Sequence, residues 1–302
     1  MSQHHPASSS SFVFSNRGEL RATEKLGKAP RMNHQQQQRP FAVVTGASSG
    51  IGFELAKVLA EEGYDLLITA EDEEIAAAQR ELNQLTASVE CTREDLSSEQ
   101  GVQRLYERIQ ANARPVDVLC LNAGIGHGGD FARENELPKV LRLIDLNVRS
   151  TVHLCKLVVE GMVARDEGRI LFTSSIASTM PGSFQAVYNA SKSFVQSFAL
   201  ALRNELKDTG ITVTSLMPGP TETEFFERAE MEDTPIGEGP KDDPAVVARQ
   251  GYEALMDDKE KVVGGGVKTK AQATAAKVLP DGVKAAMHRK QAEPAGAGKE
   301  EE

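Results

Sequence analysis

Short apolar runs alternate with amphipathic stretches along most of this chain, beginning at Phe41. A short continuous apolar run is typical of a strand that is buried on both faces of a sheet. Apolar residues that recur at helical spacing are typical of a helix that packs one face on a sheet. The apolar runs predict seven strands, at residues 41–45, 65–70, 89–91, 116–121, 169–173, 211–217 and 261–263.

Helices are predicted between these strands, with Ser97 as the expected N-cap of the third helix. Strands and helices that alternate in this way predict a parallel sheet with right-handed crossovers and helices on both faces. The predicted fold class is therefore α/β, with one doubly wound parallel sheet of about seven strands. Ligands of such sheets bind beside the carboxyl ends of the strands. The predicted helices span residues 50–62, 72–85, 97–112, 137–164, 186–207 and 244–256.

Composition divides the chain into one ordered domain and its terminal segments. Residues 1–39 are polar, with four consecutive serines and a glutamine run, so we expect a disordered extension there. The ordered domain covers residues 40–263. Residues 264–290 have a basic, alanine-rich composition that is typical of a helix. We expect this segment to pack on the domain, to cover a pocket or to contact a partner subunit. Residues 291–302 are acidic at their end, and a disordered tail is predicted.

Charge and cysteine content narrow the classes of function. The 302 residues carry a net charge of −10, which argues against a nucleic-acid partner. The three cysteines, Cys91, Cys120 and Cys155, lack metal-ligand spacing, so we expect small buried apolar residues in a reducing, cytoplasmic protein without a bound metal. No apolar run is long enough for a membrane span, and the first residues lack the apolar core of a secretory signal.

A glycine-rich turn follows the first predicted strand, with the sequence Thr45-Gly46-Ala47-Ser48-Ser49-Gly50-Ile51-Gly52. Glycines allow a tight turn and a close approach of a pyrophosphate, and the N-terminus of the next helix favours negative charge. Because this turn lies between a strand and a helix, it predicts a dinucleotide site. On its own, such a turn is also typical of a plain strand-to-helix connection.

Polar residues follow the next three predicted strands as well. Glu71 follows the second strand, where a carboxylate can bind the adenosine ribose hydroxyls or belong to an acidic surface cluster. Asp95 and Leu96 follow the third strand and are candidates to flank the adenine. Asn122-Ala123-Gly124 begins a glycine-rich loop after the fourth strand.

The stretch Tyr188-Asn189-Ala190-Ser191-Lys192 places a phenol and an ammonium group four residues apart, on one face of a predicted helix. A free tyrosine has a pKa near 10 and is a poor base at neutral pH, but a nearby cation lowers that pKa. The pair is therefore a candidate proton donor and acceptor for an alcohol and its carbonyl compound. An ordinary amphipathic helix often has the same spacing.

In this order and spacing, the motifs resemble those of the classical short-chain dehydrogenase/reductase family. Three further signatures support the resemblance: Asn147, Ser175 placed thirteen residues before Tyr188, and Pro218-Gly219 after the sixth strand. The resemblance covers residues 40–263 and implies a Rossmann-type fold. It also implies an NAD(P)-dependent oxidoreductase that interconverts a small carbonyl compound and a secondary alcohol.

The resemblance implies a role for each matching residue. Tyr188 would exchange a proton with the substrate oxygen, and Lys192 would lower the Tyr188 pKa and hold the nicotinamide ribose. Ser175, with Ser174 as the neighbouring alternative, would donate a hydrogen bond to the substrate oxygen. Asn147 would hold a water that links Lys192 to solvent. The nicotinamide carboxamide would be held by Pro218, Gly219, Thr221 and Thr223.

One departure from the family pattern concerns the choice of cofactor. Many NADP-preferring members have an arginine at the position of Glu71, and many NAD-preferring members have an aspartate at the position of Ala70. This chain matches neither pattern. Because a carboxylate repels a 2′-phosphate, we expect a modest preference for NAD(H) over NADP(H).

The segments between the motifs are expected to select the substrate. Residues 221–243, with Phe225 and Phe226, form a candidate lid, and residues 179–184 a candidate wall. His127 either reaches the pocket or is a solvated loop residue. These side chains favour an apolar or mixed small-molecule substrate.

Two other functions remain open at this point. A non-catalytic, cofactor-binding sensor or scaffold would have no need of the proton relay, and a sugar-nucleotide epimerase or dehydratase would need a larger C-terminal region. The resemblance also implies a homodimer or homotetramer that forms through residues 137–164 and 186–207.

Overall fold

Seven parallel strands form the centre of the structure, a computed structural model that describes residues 39–85, 88–275 and 279–294. The strands lie in the order β3-β2-β1-β4-β5-β6-β7, and every neighbouring pair is parallel. The predicted doubly wound α/β sheet is therefore confirmed. The strands are β1 (Phe41–Thr45), β2 (Asp65–Ala70), β3 (Val89–Arg93), β4 (Val118–Leu121), β5 (Gly168–Thr173), β6 (Ile211–Pro218) and β7 (Lys261–Gly264).

The strand order reverses between β1 and β4, which are neighbours in the sheet although β2 and β3 lie between them in sequence. Val44 of β1 is paired with Cys120 of β4, so the two strands end at the same level. The turn after Thr45 and the loop after Leu121 consequently start side by side. This reversal creates a crevice at the carboxyl ends of the strands, where ligands of such sheets bind.

Helices cover both faces of the sheet. One apolar core includes Leu55, Leu82 and Val247 against one face, and the other includes Leu105, Leu154 and Val195 against the opposite face. The helices are α1 (Gly50–Glu61), α2 (Ile75–Leu82), α3 (Glu99–Ala111), α4 (Leu137–Ile144), α5 (Thr151–Arg165), α6 (Ala186–Glu205), α7 (Phe225–Arg228), α8 (Pro235–Glu238), α9 (Pro244–Met256), α10 (Val267–Ala275) and α11 (Asp281–Ala292).

The helical region predicted at 137–164 contains a π-helical turn at Asp145–Ser150, between α4 and α5. A π turn inserts one extra residue into a helical turn and frequently marks a functional position. Here the turn carries Asn147. The predicted cap of α3 is wrong by one residue: Ser98 Oγ accepts the capping hydrogen bond from Gly101 N (3.0 Å), while Ser97 Oγ donates to Asp95 (2.7 Å).

The C-terminal extension contains two helices, α10 and α11. Helix α11 continues to Ala292 and so includes the first two residues, 291 and 292, of the segment that was predicted to be a disordered tail. Residues 295–302 and the N-terminal segment 1–38, both predicted to be disordered, lie outside the described residues. Among the described residues, no helix combines the length and the apolar character that crossing a membrane requires.

Candidate functional site

The turn after β1 has a backbone that glycine accommodates best. Gly46 and Gly50 have φ angles of +65° and +57°, in the left-handed region that other residues rarely adopt. A Cβ atom on Gly52 would lie 1.9 Å from the carbonyl oxygen of Gly46, so that position has no room for a side chain. The turn therefore brings the backbone tightly round from β1 into the first turn of α1.

The N-terminus of α1 is suited to an anion. Within the described residues, no side chain caps this helix at Ser49, and its first turn contains no acidic residue. The first amide groups of a helix and its dipole attract negative charge. These features fit the pyrophosphate of a dinucleotide. The part of the turn that lines the main cleft comprises Gly46, Ser48, Ser49, Gly50, Ile51 and Gly52.

Asn122 ties the ends of three strands together. Its Nδ2 donates to the carbonyl oxygens of Thr45 and Gly46 (both 3.2 Å), and its Oδ1 accepts from Thr173 Oγ1 (3.0 Å). Thr45 Oγ1 in turn accepts from the backbone N–H groups of Asn122 and Ala123 (both 3.0 Å). This network fixes the Asn122-Ala123-Gly124 loop beside the glycine-rich turn, and all three loop residues line the cleft.

The Tyr188 and Ser175 side chains lie next to each other in the same cleft, close enough for the Ser175 hydroxyl to act on the pKa of the Tyr188 phenol. Ser175 follows β5 by two residues, and Tyr188 lies in the first turn of α6. Both residues are 9% exposed. Ser175 Oγ also lies 3.3 Å from the carbonyl oxygen of Pro218, to which it donates, so its position is fixed from two sides.

Lys192 and Asn147 complete the predicted catalytic group. Lys192 Nζ donates to the carbonyl oxygen of Thr173 (3.0 Å) and lies 5.9 Å from the centre of the Tyr188 ring. The Asn147 amide is held by the backbone of Ile125 (2.9 Å to both its N and its O) and by Ser191 Oγ (3.0 Å).

Gly124 lies between the two polar side chains of Asn147 and Lys192. A Cβ on Gly124 would lie 3.1 Å from Asn147 Oδ1 and 3.2 Å from Lys192 Nζ. A larger residue at this position would therefore push against both groups.

Burial controls the protonation of this group. It raises the pKa of Tyr188 to about 12, an effect that the neighbouring Ser175 hydroxyl opposes. Burial also lowers the pKa of Lys192 to about 8. Loss of solvent around the phenol is the largest cause of the change at Tyr188, and the predicted lowering of the Tyr188 pKa by Lys192 stays a prediction. At neutral pH the phenol holds its proton.

The adenosine end of the cleft differs from the sequence prediction. Glu71 lines the cleft, but Arg142 of α4 donates a hydrogen bond to its carboxylate and lies 3.7 Å from Asp95 Oδ1. The expected preference for NAD(H) assumed that no cation lies near Glu71, and Arg142 removes that basis. Asp95 does not line the cleft among the described residues, because its carboxylate turns to Ser97 (2.9 Å to the backbone N), whereas the adjacent Leu96 does.

The segment after β6 lines the opposite end of the cleft. Pro218, Gly219, Thr221 and Thr223 all line the cleft, and their contact with a nicotinamide carboxamide stays a prediction. Thr223 packs over the glycine-rich turn, since a Cβ on Gly50 would lie 2.8 Å from Thr223 Cγ2. Thr223 is thus placed close to the predicted pyrophosphate position as well.

The candidate lid lies over the catalytic group. The ring centres of Phe225 and Tyr188 are 5.3 Å apart, and Phe226 packs against Phe225 at 5.4 Å. His127 lies outside the cleft lining, where its Nδ1 is 4.0 Å from a carboxylate oxygen of Glu230. His127 therefore does not reach the cleft. The apolar lid residues Phe225 and Phe226 are the main cover of the catalytic group.

Several cleft residues were not identified from the sequence, among them Arg228, Gln185, His288 and Gln291. Arg228 and Gln185 occur near predicted motifs without a recognisable pattern, and His288 and Gln291 belong to α11. Local spacing contains no signal for the last two, because only tertiary packing brings α11 to a site built about a hundred residues earlier in the chain. His288 and Gln291 are the main cleft residues that the structure reveals and the sequence did not.

Comparison with known proteins agrees with this geometry. The family model described as short chain dehydrogenase matches residues 40–233. An uncharacterized oxidoreductase of Staphylococcus saprophyticus is 32% identical over 221 residues, which cover 72% of this chain and 92% of the relative.

Solved structures are similar as well. A short-chain dehydrogenase from Sphingobium yanoikuyae in complex with NADPH has a TM-score of 0.69 and 27% identity, covering 74% of this chain and 87% of that chain. One from Burkholderia phymatum in complex with NAD has a TM-score of 0.72 and 24% identity, covering 80% and 92%, and it supports the fold. The chain belongs to the short-chain dehydrogenase/reductase family and is an NAD(P)-dependent oxidoreductase.

Proposed function

We propose that this protein interconverts a carbonyl compound and the corresponding secondary alcohol, with Tyr188 as the proton donor and acceptor. The observation that carries the proposal is that the Tyr188 and Ser175 side chains meet in the same cleft as the glycine-rich turn. A phenol and a hydroxyl that converge in this way can hold one substrate oxygen between them. A purely cofactor-binding protein would need the turn but not this pair.

The protein's own contribution is to hold the substrate oxygen and to move one proton. A bound nicotinamide would supply or accept the hydride. Tyr188, with its pKa raised to about 12, keeps its proton at neutral pH and is therefore poised to donate it during reduction. Ser175 orients the same oxygen. Lys192, with its pKa lowered to about 8, can exchange protons near neutral pH.

Both NAD(H) and NADP(H) belong to the proposal, with the glycine-rich turn holding the pyrophosphate. The Sphingobium relative was solved with NADPH, which gives no support to a preference for NAD(H). In this chain Arg142 pairs with Glu71 beside the adenosine end of the cleft. A 2′-phosphate would be repelled by Glu71 and attracted by Arg142, so the balance between these two charges sets the preference.

A panel of ketones, aldehydes and secondary alcohols tests the proposal when nicotinamide absorbance is followed with each cofactor. We expect turnover of at least one carbonyl compound and of its alcohol in the reverse direction. Cofactor binding without turnover of any compound would favour the sensor or scaffold instead.

A second copy of the chain is the proposed partner. Helix α4 has a row of exposed apolar side chains, Leu137 (64% exposed), Leu141 (49%) and Ile144 (39%), and α6 exposes Phe194 (43%). Contiguous exposed apolar patches often mark an interface with another protein. The proposed site of action is the cytoplasm, which suits the unpaired state of all three cysteines.

A further inference from the structure

Helix α11 is held against the loop that connects Ser175 to Tyr188. Lys284 Nζ donates to the carbonyl oxygen of Thr179 (3.2 Å), and Ser183 Oγ donates to the carbonyl oxygen of Ala285 (3.3 Å). The helix lies beyond residues 40–233, which match the family model.

Two further contacts fix the position of α11. The Arg289 guanidinium lies 5.2 Å from the centre of the Phe184 ring, and Phe184 has a φ of +61°, which is unusual for a bulky residue. Ala292 is buried in a cluster with Phe226 and Met231 of the lid segment. Helix α11 is thus wedged between the loop and the lid, at the substrate end of the cleft.

His288 is the polar residue that α11 buries most completely at the cleft. It is 4% exposed and lines the cleft, and its Nδ1 lies 3.0 Å from the carbonyl oxygen of Ser183. A carbonyl oxygen only accepts hydrogen bonds, so Nδ1 carries the hydrogen. Burial lowers the pKa of His288, which keeps the imidazole neutral at pH 7. Nε2 is then an acceptor, and no described residue donates a hydrogen bond to it.

The surroundings of His288 limit what its Nε2 can accept. Met180, Phe225 and Ile236 also line the cleft and are apolar, and the amide of Gln291, one turn along α11, is polar but uncharged. A carboxylate or phosphate of a substrate would meet a lone pair instead of a donor, and a cation would lack a counter-charge among these residues. A neutral hydroxyl group is the donor that fits.

We propose that His288 is a specificity-determining residue, whose Nε2 accepts a hydrogen bond from a hydroxyl group on the substrate, remote from the reacting carbon. The preferred substrates are thus hydroxylated ketones or the matching diols. This inference rests on the proposed function, because it concerns the substrate of the same site.

Two substitutions separate the two nitrogens of His288. In His288→Asn the side-chain amide can keep the hydrogen bond to Ser183 but has no atom at the position of Nε2. In His288→Gln an oxygen can replace Nε2 as the acceptor. The exposed neighbour Met287 (48% exposed), which does not line the cleft, provides the matched control Met287→Ala on the same helix.

The experiment compares a hydroxyketone with the same ketone lacking the hydroxyl group, using kcat/KM for each protein. We expect the wild type and Met287→Ala to prefer the hydroxyketone by about 3- to 10-fold, the range for one net hydrogen bond. His288→Asn should lose this preference while the plain ketone changes by less than about twofold, and His288→Gln should retain part of it.

Calorimetric titration of the two ketones into each protein saturated with NADP⁺ gives a readout that does not depend on turnover. If the proposed function fails, no protein turns over either ketone, but the ratio of the two Kd values still reports on His288. A ratio that stays the same in His288→Asn overturns the inference. An equal loss for both ketones would also overturn it, since it would indicate a structural role through Ser183.

Discussion

Lys192 is a buried ammonium group, and its replacement by methionine tests how strongly the site is desolvated. Lys192 is 6% exposed, and burial lowers its pKa from 10.5 to about 8. Methionine fills a similar volume without a charge. Lys192→Met therefore removes the titration and loses one hydrogen bond, that with the Thr173 carbonyl (3.0 Å).

The pH dependence follows from the direction of the pKa change. Below pH 8 both the folded and the unfolded protein carry the Lys192 proton, so the folded state bears the full desolvation penalty. Between pH 8 and 10.5 the unfolded state binds more protons, and the stability of the wild type rises with pH. Relative to Lys192→Met, the wild type should gain about 2.5 kcal/mol between about pH 7 and about pH 10.

Urea unfolding followed by circular dichroism suits this protein, which contains no tryptophan. The difference in the free energy of unfolding between wild type and Lys192→Met is measured at several pH values. Taking this difference cancels the titration of Tyr188, whose raised pKa acts in the opposite direction above pH 10. A difference that does not change with pH would refute the view that Lys192 is desolvated.

Three further predictions concern the turn, the cofactor and the assembly. In a thermal unfolding assay, Gly52→Ala should destabilise the protein by about 1–3 kcal/mol, because its Cβ would meet the Gly46 carbonyl oxygen at 1.9 Å, and it should also weaken cofactor binding. The control Gly161→Ala, whose Cβ would have no described neighbouring atom within 4 Å apart from the helix's own backbone, should stabilise α5 by about 0.5–1 kcal/mol in the same assay. Glu71→Gln should raise kcat/KM for NADPH relative to NADH severalfold, and an unchanged ratio would exclude a role for that carboxylate. Leu141→Glu should reduce the molar mass measured by light scattering to that of a monomer. A wild-type protein that is already monomeric would contradict the proposed assembly.

The local sequence pattern predicted the strands more completely than it predicted the helices. Continuous apolar runs predicted the inner strands β1, β2, β4, β5 and β6 because these strands are buried on both faces. The π-helical turn at Asn147 was not predictable, since the side chain that it presents is held by Ile125 and Ser191, which come from distant parts of the chain. Local spacing contains no information about those partners.

The same distinction applies to the site. Gly46, Asn122 and Tyr188 lie at strand ends or helix starts, where sequence position alone brings them to one edge of the sheet. His288 lies far along the chain from those motifs, and its place depends on how α11 packs. The Tyr188 pKa also escaped prediction, because spacing identified the nearby cation but not the degree of burial.

The central claim, that Tyr188 transfers the proton, is tested most directly by Tyr188→Phe. Tyr64→Phe is the matched control, because Tyr64 is equally buried (9% exposed) but lies away from the cleft. Turnover and the Kd for NADPH are measured on the same preparations. We predict that Tyr188→Phe loses about 10²- to 10⁴-fold in kcat while its Kd changes by less than about threefold, and that Tyr64→Phe keeps both. A Tyr188→Phe enzyme that turns over at the wild-type rate would contradict the account.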